Sequence, residues 1–400
     1  MTPKLTDELT RRRLSLCIFF FLPGIALASW VSRTPAIRDA IKVSLSEMGI
    51  VLFGLSVGSM TGILGAGYLL RRFGTRMVAF VGLLLTSAAL FVMALGVAVG
   101  LASVVTFGLF IFGLSMGVSE IAINVEGTDF EAQSGRSIMP TLHGCFSLGT
   151  VVGALLGMVF AHIELPVAWH LALAGALVIP PVLLFIGNLQ SGLGRTDASA
   201  AHAAHQGGVW RDRKLMLIGV IVLAMALAEG AANDWLTLLM VDEHGFDQAA
   251  GSFVFLAFAI AMTVGRFGGT PLLDRYGPAF MLRGAAISGA IGLALIIFVP
   301  NGYVAAVAVI FWGLGASLGF PVALSAAGSS GPNPAERVRI VATVGYVAFL
   351  VGPPLLGFLG EDFGLRKAML VVLALLIVAA TIAPALTPRP ILSARRPESN

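Results

Sequence analysis

Glu120 and His143 stand inside apolar sequence on either side of the polar stretch 119–147, SEIAINVEGTDFEAQSGRSIMPTLHGCFS. An ionisable group in hydrocarbon costs roughly 2.5–3.5 kcal/mol on insertion scales, so each is a candidate functional group by default. A carboxylic acid beside an imidazole can hold or pass a proton near neutral pH, because burial and a neighbouring opposite charge act on the two in opposing ways. The alternatives are a different base for Glu120 and a helix carbonyl for His143. Asn124 follows Glu120 by four residues and shares its helix face, where it suits a sugar hydroxyl or a second helix. Glu126, Asp129 and Glu131 face Arg136 across the hairpin and read as solvated loop charge.

A second constellation is EGAANDW, 229–235. Glu229 and Asn233, one turn on, can bind hydroxyls or amines; Asp234 adjoins them, and the Trp235 indole can stack on the apolar face of a solute. The plainer account puts Asp234 and Trp235 at the membrane interface, with the indole in an aromatic belt. Trp30 and Arg33 occupy a matching place in the first apolar run. An Arg33–Asp234 ion pair would close the outer mouth, with snorkelling of the arginine as the alternative. The two cysteines, Cys17 and Cys145, both fall in apolar runs without metal-ligand spacing and read as small buried side chains.

These groups need a scaffold that carries them into a bilayer, and the composition provides one. The 400 residues are 57% hydrophobic and 12% charged, against about 25% charge in a soluble chain. Windows of ~20 mostly apolar residues fall at 14–33, 48–70, 77–98, 101–125, 137–161, 166–187, 214–239, 250–272, 279–299, 302–327, 338–360 and 367–386. Residues 188–213 are rich in Gly, Ala, Ser and His, show no apolar period and read as a flexible linker. The expectation is an all-α membrane protein of twelve transmembrane helices: a six-helix bundle over 1–187, a cytoplasmic linker over 188–213 and a second six-helix bundle over 214–400. With the N-terminus inside, eighteen of the 25 basic residues fall on the cytoplasmic side and five outside. That asymmetry places both termini in the cytoplasm of a bacterial inner-membrane protein. Glu120 and His143 then each lie about six residues from the cytoplasmic end of consecutive helices, at a common depth of ~9 Å.

The two halves repeat. A shift of 203 residues lays LLRRFG (69–74) on LLDRYG (272–277), Arg136 on Arg339 and Gly149 on Gly352. It also lays His143 on Tyr346, which joins the candidate solute contacts. A parallel repeat of six helices is a transporter signature, with the solute site near mid-membrane between the halves. The loop Gly67-Tyr-Leu-Leu-Arg71-Arg72-Phe-Gly74-Thr-Arg76 resembles the G-x-x-x-D-R-x-G-R-R signature of the major facilitator superfamily, and Asp274-Arg275-Tyr276-Gly277 matches its D-R-x-G core. The resemblance implies a cytoplasmic gate at Gly67, Arg72, Gly74, Asp274, Arg275 and Gly277, with Asp274 at a helix N-terminus; Arg71 stands where the first-half Asp would be. TLHGCFSLG (141–149), EGAANDW (229–235), GYVAFLVGPPLLGFLG (345–360) and SWVSRTPAIRDAI (29–41) resemble the branch containing the MosC-type proteins and YbjJ.

The function expected from these residues is secondary transport of a small polar, sugar- or polyol-like solute, coupled to protons through Glu120, His143 and Glu229. No P-loop follows a strand, so nucleotide drive is not expected within the chain. Proton-driven efflux of amphiphilic compounds is the alternative within transport; a broad aromatic cavity would be its mark, and the chain has four Tyr and five Trp. A membrane enzyme or sensor would need a catalytic cluster or soluble domain that 188–213 does not offer. Neither a cofactor, a metal nor nucleic acid is expected as a partner; the bilayer, the solute and protons are, around a monomer. The small-residue ridges at Gly54, Gly58 and Gly62 and at Gly149, Gly153 and Gly157 are expected either to ease rocking between halves or simply to pack.

Overall fold

The computed structural model describes residues 3–134, 138–195, 212–331 and 334–386, and these contain helices and turns without a strand. The first part runs α1 (Pro3–Val31), α2 (Thr34–Ile41), α3 (Leu45–Phe73), α4 (Thr75–Val99), α5 (Ala102–Ser134), α6 (Met139–His162) and α7 (Val167–Phe185). The second runs α8 (Arg213–His244), α9 (Gln248–Phe298), α10 (Gly302–Ala316), α11 (Gly319–Gly328), α12 (Pro334–Phe363) and α13 (Leu365–Ile382). Twelve segments are long and apolar enough to cross a membrane. Two of them lie within α9, α10 and α11 together make one, and α2 is too short to span. Twelve crossings bring both ends of the chain to one side, called here the terminal end; the opposite side is the far end. Residues 196–211, most of the expected linker, and Arg136 lie outside the described residues.

The repeat seen in sequence is also a repeat of backbone. Gly74 separates α3 from α4 at φ 79°, ψ 162°, and Gly277 breaks α9 at φ 76°, ψ 165°. That region is open to glycine and costly for any residue with a Cβ, so the glycine of each D-R-x-G-like loop is fixed by the turn it makes.

Close helix packing explains the small-residue ridges. A Cβ at Gly58 would sit 2.0 Å from the Phe110 carbonyl of α5, and one at Gly149 would sit 2.2 Å from the Phe21 carbonyl of α1. Gly54 and Gly62 likewise meet α5, Gly153 meets α1, and Gly157 meets Ser32 just past its end. These ridges therefore pack helices inside the first six spans and do not form the sliding surface between the two sets. That surface is made instead by α3 against α12 and α6 against α9, where Gly49 approaches Pro353 and Gly357 and Gly144 rests on the Phe267 ring.

Candidate functional site

The terminal end holds a cavity of about 550 Å³ between the two sets of helices. One wall is the stripe Glu120, Asn124, Thr128 and Ala132, spaced by four along α5, with Ile63 of α3 and Tyr346 of α12 facing it. Four-residue spacing keeps these side chains on one helix face. Asn124 Nδ2 donates to the Glu120 carbonyl at 2.8 Å and Thr128 Oγ1 to the Asn124 carbonyl at 2.9 Å, which leaves the Asn124 side-chain oxygen as a spare acceptor.

Near Glu120 of the cavity wall stands Arg266 of α9, close enough for its charge to act on that carboxyl. Its Nη2 donates to Glu229 Oε1 at 2.9 Å, its Nη1 to Ser147 Oγ of α6 at 3.3 Å and its Nε to the Ser317 carbonyl at 3.3 Å. The last acceptor exists because α10 and α11 are interrupted at Ser317 and Leu318, which frees a backbone carbonyl in mid-span. Irregular backbone at that depth is tolerated only where it is buried in protein or lines a cavity. Arg266 thus ties three helices of the second set to one of the first. The charge of Arg266 acts on both Glu120 and His143, and that of Glu229 acts on Glu120. From sequence Arg266 reads only as a residue near a helix end. It carries the signal that singles out Glu120, an ionisable group within an apolar run, but the 203-residue shift lays it on Ile63 and hides it.

Glu229 and Asn233 do share an outlook. From Ala224 to Met240 of α8 every residue is buried except these two, one turn apart. His143 is exposed on α6, one turn from Ser147, with its ring edge-on to Phe20 at 5.2 Å. No hydrogen bond or ion pair joins Glu120 to His143 among the described residues. Arg266 stands in the field of both, so the expected acid–imidazole pair is replaced by a cluster around a guanidinium.

Three expectations at the far end are corrected. Trp235 and Trp30 are 0% and 1% exposed, so neither indole offers a face to a solute; the Trp235 ring packs near Gly357 of α12. Asp234 is buried and makes no bond to Arg33. Arg33 donates to the Leu165 carbonyl at 2.9 Å, within the first six spans, and burial without an offsetting carboxylate pushes its pKa below the ordinary guanidinium value. An ion pair that does cross there joins Arg38 of α2 and Asp242 of α8, and nothing in the sequence pattern marks it.

The gate residues are placed but not linked. Gly67 lies inside α3, two turns before Gly74 makes the link to α4, and Arg72 lies over the Phe73 ring at 5.5 Å, as Arg275 lies over Tyr276 at 5.3 Å beside Gly277. The side chain of Asp274 lies outside the described ones. The ordered polar knot near this loop is built on Glu126, which is 0% exposed and so is not the solvated loop charge expected. Arg12 Nη2 reaches Glu126 Oε2 at 2.5 Å and Asp129 Oδ2 at 2.8 Å, and Thr75 Oγ1 donates to Glu126 Oε1 at 2.5 Å.

The assembly of twelve spans, a backbone repeat and a cavity of mixed polar and apolar lining between the two sets has counterparts among known proteins. An uncharacterised MFS-type transporter of Yersinia pestis is 30% identical over 380 residues, covering 94% of this chain and 96% of that protein. The membrane protein MosC of Rhizobium meliloti is 27% identical over 371 residues, covering 90% and 86%. Among solved structures, a point mutant of the nucleoside transporter NupG superposes with a TM-score of 0.75 at 14% identity, over 94% of this chain and all of that one. A point mutant of the Escherichia coli fucose:proton symporter FucP gives 0.66 at 18%, over 94% and 98%; at such identities these two speak for the fold alone. The family model of the Major Facilitator Superfamily matches residues 14–338, and the chain belongs to that superfamily of membrane transporters.

Proposed function

We propose that the chain is a secondary transporter of a small polar, hydroxyl-bearing solute, driven by protons across the bacterial inner membrane. The observation that carries this reading is the charge count around Glu120 of the cavity wall: two carboxylates, Glu120 and Glu229, share one guanidinium, Arg266. In a low-dielectric cleft the surplus negative charge favours a proton or a cationic group. Glu229 is held by Arg266, so Glu120, which has no ion-pair partner among the described residues, is the better proton acceptor. Glu229, Asn233, Asn124, Ser147 and Tyr346 then offer acceptors and donors to hydroxyls. His143 stands beside this cluster as a proton relay toward the terminal end. Trp30, Trp235 and Asp234 are outside the solute site in this conformation.

The halves 1–187 and 214–400 act as the two rocking bodies of one monomer, joined through the linker. The excess of basic residues at the terminal end places that end in the cytoplasm, so the structure corresponds to an inward-open form. The fold is shared with a fucose:proton symporter and a nucleoside transporter, and both solutes named there carry hydroxyl groups, for which Glu120, Asn124, Thr128 and Tyr346 of the cavity wall are suitable partners.

Purified protein in liposomes, given an imposed pH gradient and a panel of sugars, polyols and nucleosides, is expected to accumulate one class of solute. Glu120→Gln is expected to abolish accumulation while leaving exchange at equal pH intact. Accumulation that ignores the gradient, or that survives in Glu120→Gln, would remove the proton from the reading. Uptake of amphiphilic dyes with no response to any polar solute would favour efflux.

A further inference from the structure

The helices α1 and α6 pack backbone to backbone in a fixed register. A Cβ at Gly149 would meet the Phe21 carbonyl at 2.2 Å, and one at Gly153 would meet the Ile25 carbonyl at 2.6 Å. Each α6 residue on this seam therefore faces the α1 residue 128 positions before it (21 with 149, 25 with 153). One turn nearer the terminal end, the same register sets Cys17 against Cys145. The helices have not splayed apart there, since the Phe20 and His143 rings still meet edge-on at 5.2 Å. The Cys17 thiol interacts with the Cys145 thiol. Both are half-buried free thiols, and the chain has no others.

Facing cysteines on helices this close suit a disulfide, whose Cα atoms lie about 4.4–6.8 Å apart. Reactive cysteines are recognised by partial exposure and a nearby cation, whereas structural ones are sealed in apolar surroundings. Arg13 lies one turn before Cys17 on α1, and its charge acts on both sulfurs. Partial exposure, a cation and a second sulfur within reach thus coincide at one point of the α1–α6 seam. Packing alone would be served by the glycines that occupy the next two turns of α6.

We propose that Cys17 and Cys145 are a redox pair, which a hydroperoxide converts from two thiols into a disulfide that staples α1 to α6. The Cys17 sulfur attacks the terminal oxygen of the peroxide and the O–O bond breaks. The departing alkoxide takes the thiol proton, and a sulfenic acid remains. The Cys145 sulfur then attacks the Cys17 sulfur; the S–S bond forms, the S–O bond breaks, and water leaves with the second thiol proton. Two electrons pass from the sulfurs to the peroxide, and a small thiol returns the pair to its reduced form by exchange. Both cysteines belong to the first set, so the staple persists while the sets rock and depends on neither proton drive nor any one solute. It fixes the turn of α6 that meets the second set, where Gly144 rests on Phe267 and Ser147 accepts from Arg266.

The test treats the purified full-length chain with hydrogen peroxide, then denatures it, alkylates free thiols and maps the cysteine peptides by mass. Both alkylations should be lost together, the Cys17 and Cys145 peptides should be recovered joined and lighter by two hydrogens, and dithiothreitol should restore both thiols. The chain should still migrate as a monomer without reductant. The joined form should melt roughly 3–10 °C above the reduced one. Cys17→Ser and Cys145→Ser, near-isosteric changes, should each keep the reduced midpoint and lose the peroxide-induced rise. Two thiols still alkylated after a peroxide dose that oxidises dithiothreitol would overturn the proposal. So would oxygen added to the cysteines in place of the link, a disulfide-joined dimer, an unchanged midpoint in the joined form, or a rise that persists in either serine variant.

Discussion

The far end and the terminal end of the molecule use polar contacts in opposite ways. At the far end the bonds cross between the two sets of spans: Arg38 to Asp242, Gln248 to Asp39, Ser252 to Ser32, Thr237 to Val31, and the Leu45 and Ser46 amides to Glu361. Ser56 to Phe349, at 2.8 Å, and Arg266 to Ser147 continue this crossing to about mid-span. Towards the terminal end the ion pairs seen among the described residues stay within one set: Arg12 with Glu126 and Asp129 in the first, Arg337 with Asp212 in the second. Contacts within a set can persist when the two sets rock, while contacts between sets must break. The far end is therefore held by many modest bonds between the sets, and the terminal end by ion pairs inside each set, the one of the first set built on a fully buried Glu126.

The sharpest way to break this contrast is at the buried knot. Arg12 and Glu126 have side chains 5% and 0% exposed, and removing one member of such a pair leaves an uncompensated charge at a cost of about 3–5 kcal/mol. Glu126→Ala is expected to lower the thermal midpoint in detergent strongly and reduce the yield of folded protein. Arg12→Met with Glu126→Met, which removes both charges, should recover much of the loss. A wild-type midpoint for Glu126→Ala would show that the knot is not what stiffens the first set.

The next largest effect is expected at Arg266, the contact where the two regimes meet. Charge-assisted hydrogen bonds contribute about 1.5–3 kcal/mol, so Arg266→Gln should weaken apparent solute affinity by roughly 10- to 100-fold with little change in midpoint. Glu229→Gln should act in the same direction and add little to Arg266→Gln, since the two share one bond. Independent, additive losses measured by solute-induced thermal shift would mean that the pair does not act as a unit.

The reading from sequence succeeded where one feature had one meaning. Apolar runs of spanning length, a change of charge balance and the 203-residue repeat led to twelve helices, and the glycines at 74 and 277 adopt the matching turn. Glu120 and Glu229 are legible as candidates because a carboxylate in an apolar run stands out. It failed where meaning depends on the partner helix. Glu126 differs from Asp129 in its surroundings, not its type: it faces Arg12 and Thr75 across 114 and 51 positions of chain. Trp235 looked like a stacking platform because the side of α8 that it faces cannot be read until α12 is in place. Arg266 was missed because the repeat lays it on an apolar residue, so the symmetry that revealed the architecture concealed the asymmetric site.

At the far end a smaller effect is expected. Glu361 of α12 accepts from the Leu45 and Ser46 amides at 2.8 and 3.2 Å, so a carboxylate from the second set caps the first turn of α3 in the first. A carboxylate at a helix N-terminus contributes about 0.3–1 kcal/mol when exposed. Glu361→Gln should shift the closed-to-open ratio about two- to fivefold toward open, read as the far-end distance between spin labels on Leu101→Cys and Tyr303→Cys, exposed positions of the two sets, with the thermal midpoint unchanged. A fall in midpoint without a change of ratio would mean that the cap supports α3 and not the closure.

The smallest effect belongs to Asp212 and Arg337, the terminal-end pair of the second set. Asp212 caps α8 through the Lys214 and Leu215 amides, and its pKa is lowered chiefly by the hydrogen bond from Arg337, with the amide bonds assisting. A carboxyl whose folded pKa is depressed contributes stability that is present above its unfolded value of about 3.9 and lost as pH falls through the folded value. Between pH 7 and pH 5 this pair should therefore add no pH dependence, and a loss should begin only below about pH 4. The carboxylate is partly open to solvent, which screens the interaction, so Asp212→Asn should lower the midpoint slightly at neutral pH and converge with wild type in strong acid. Because both partners belong to one set, the same substitution should leave the far-end label distance unchanged. A shift in that distance would show that the two ends communicate through α8, and the division between separable and permanent contacts would then have to be redrawn along that helix.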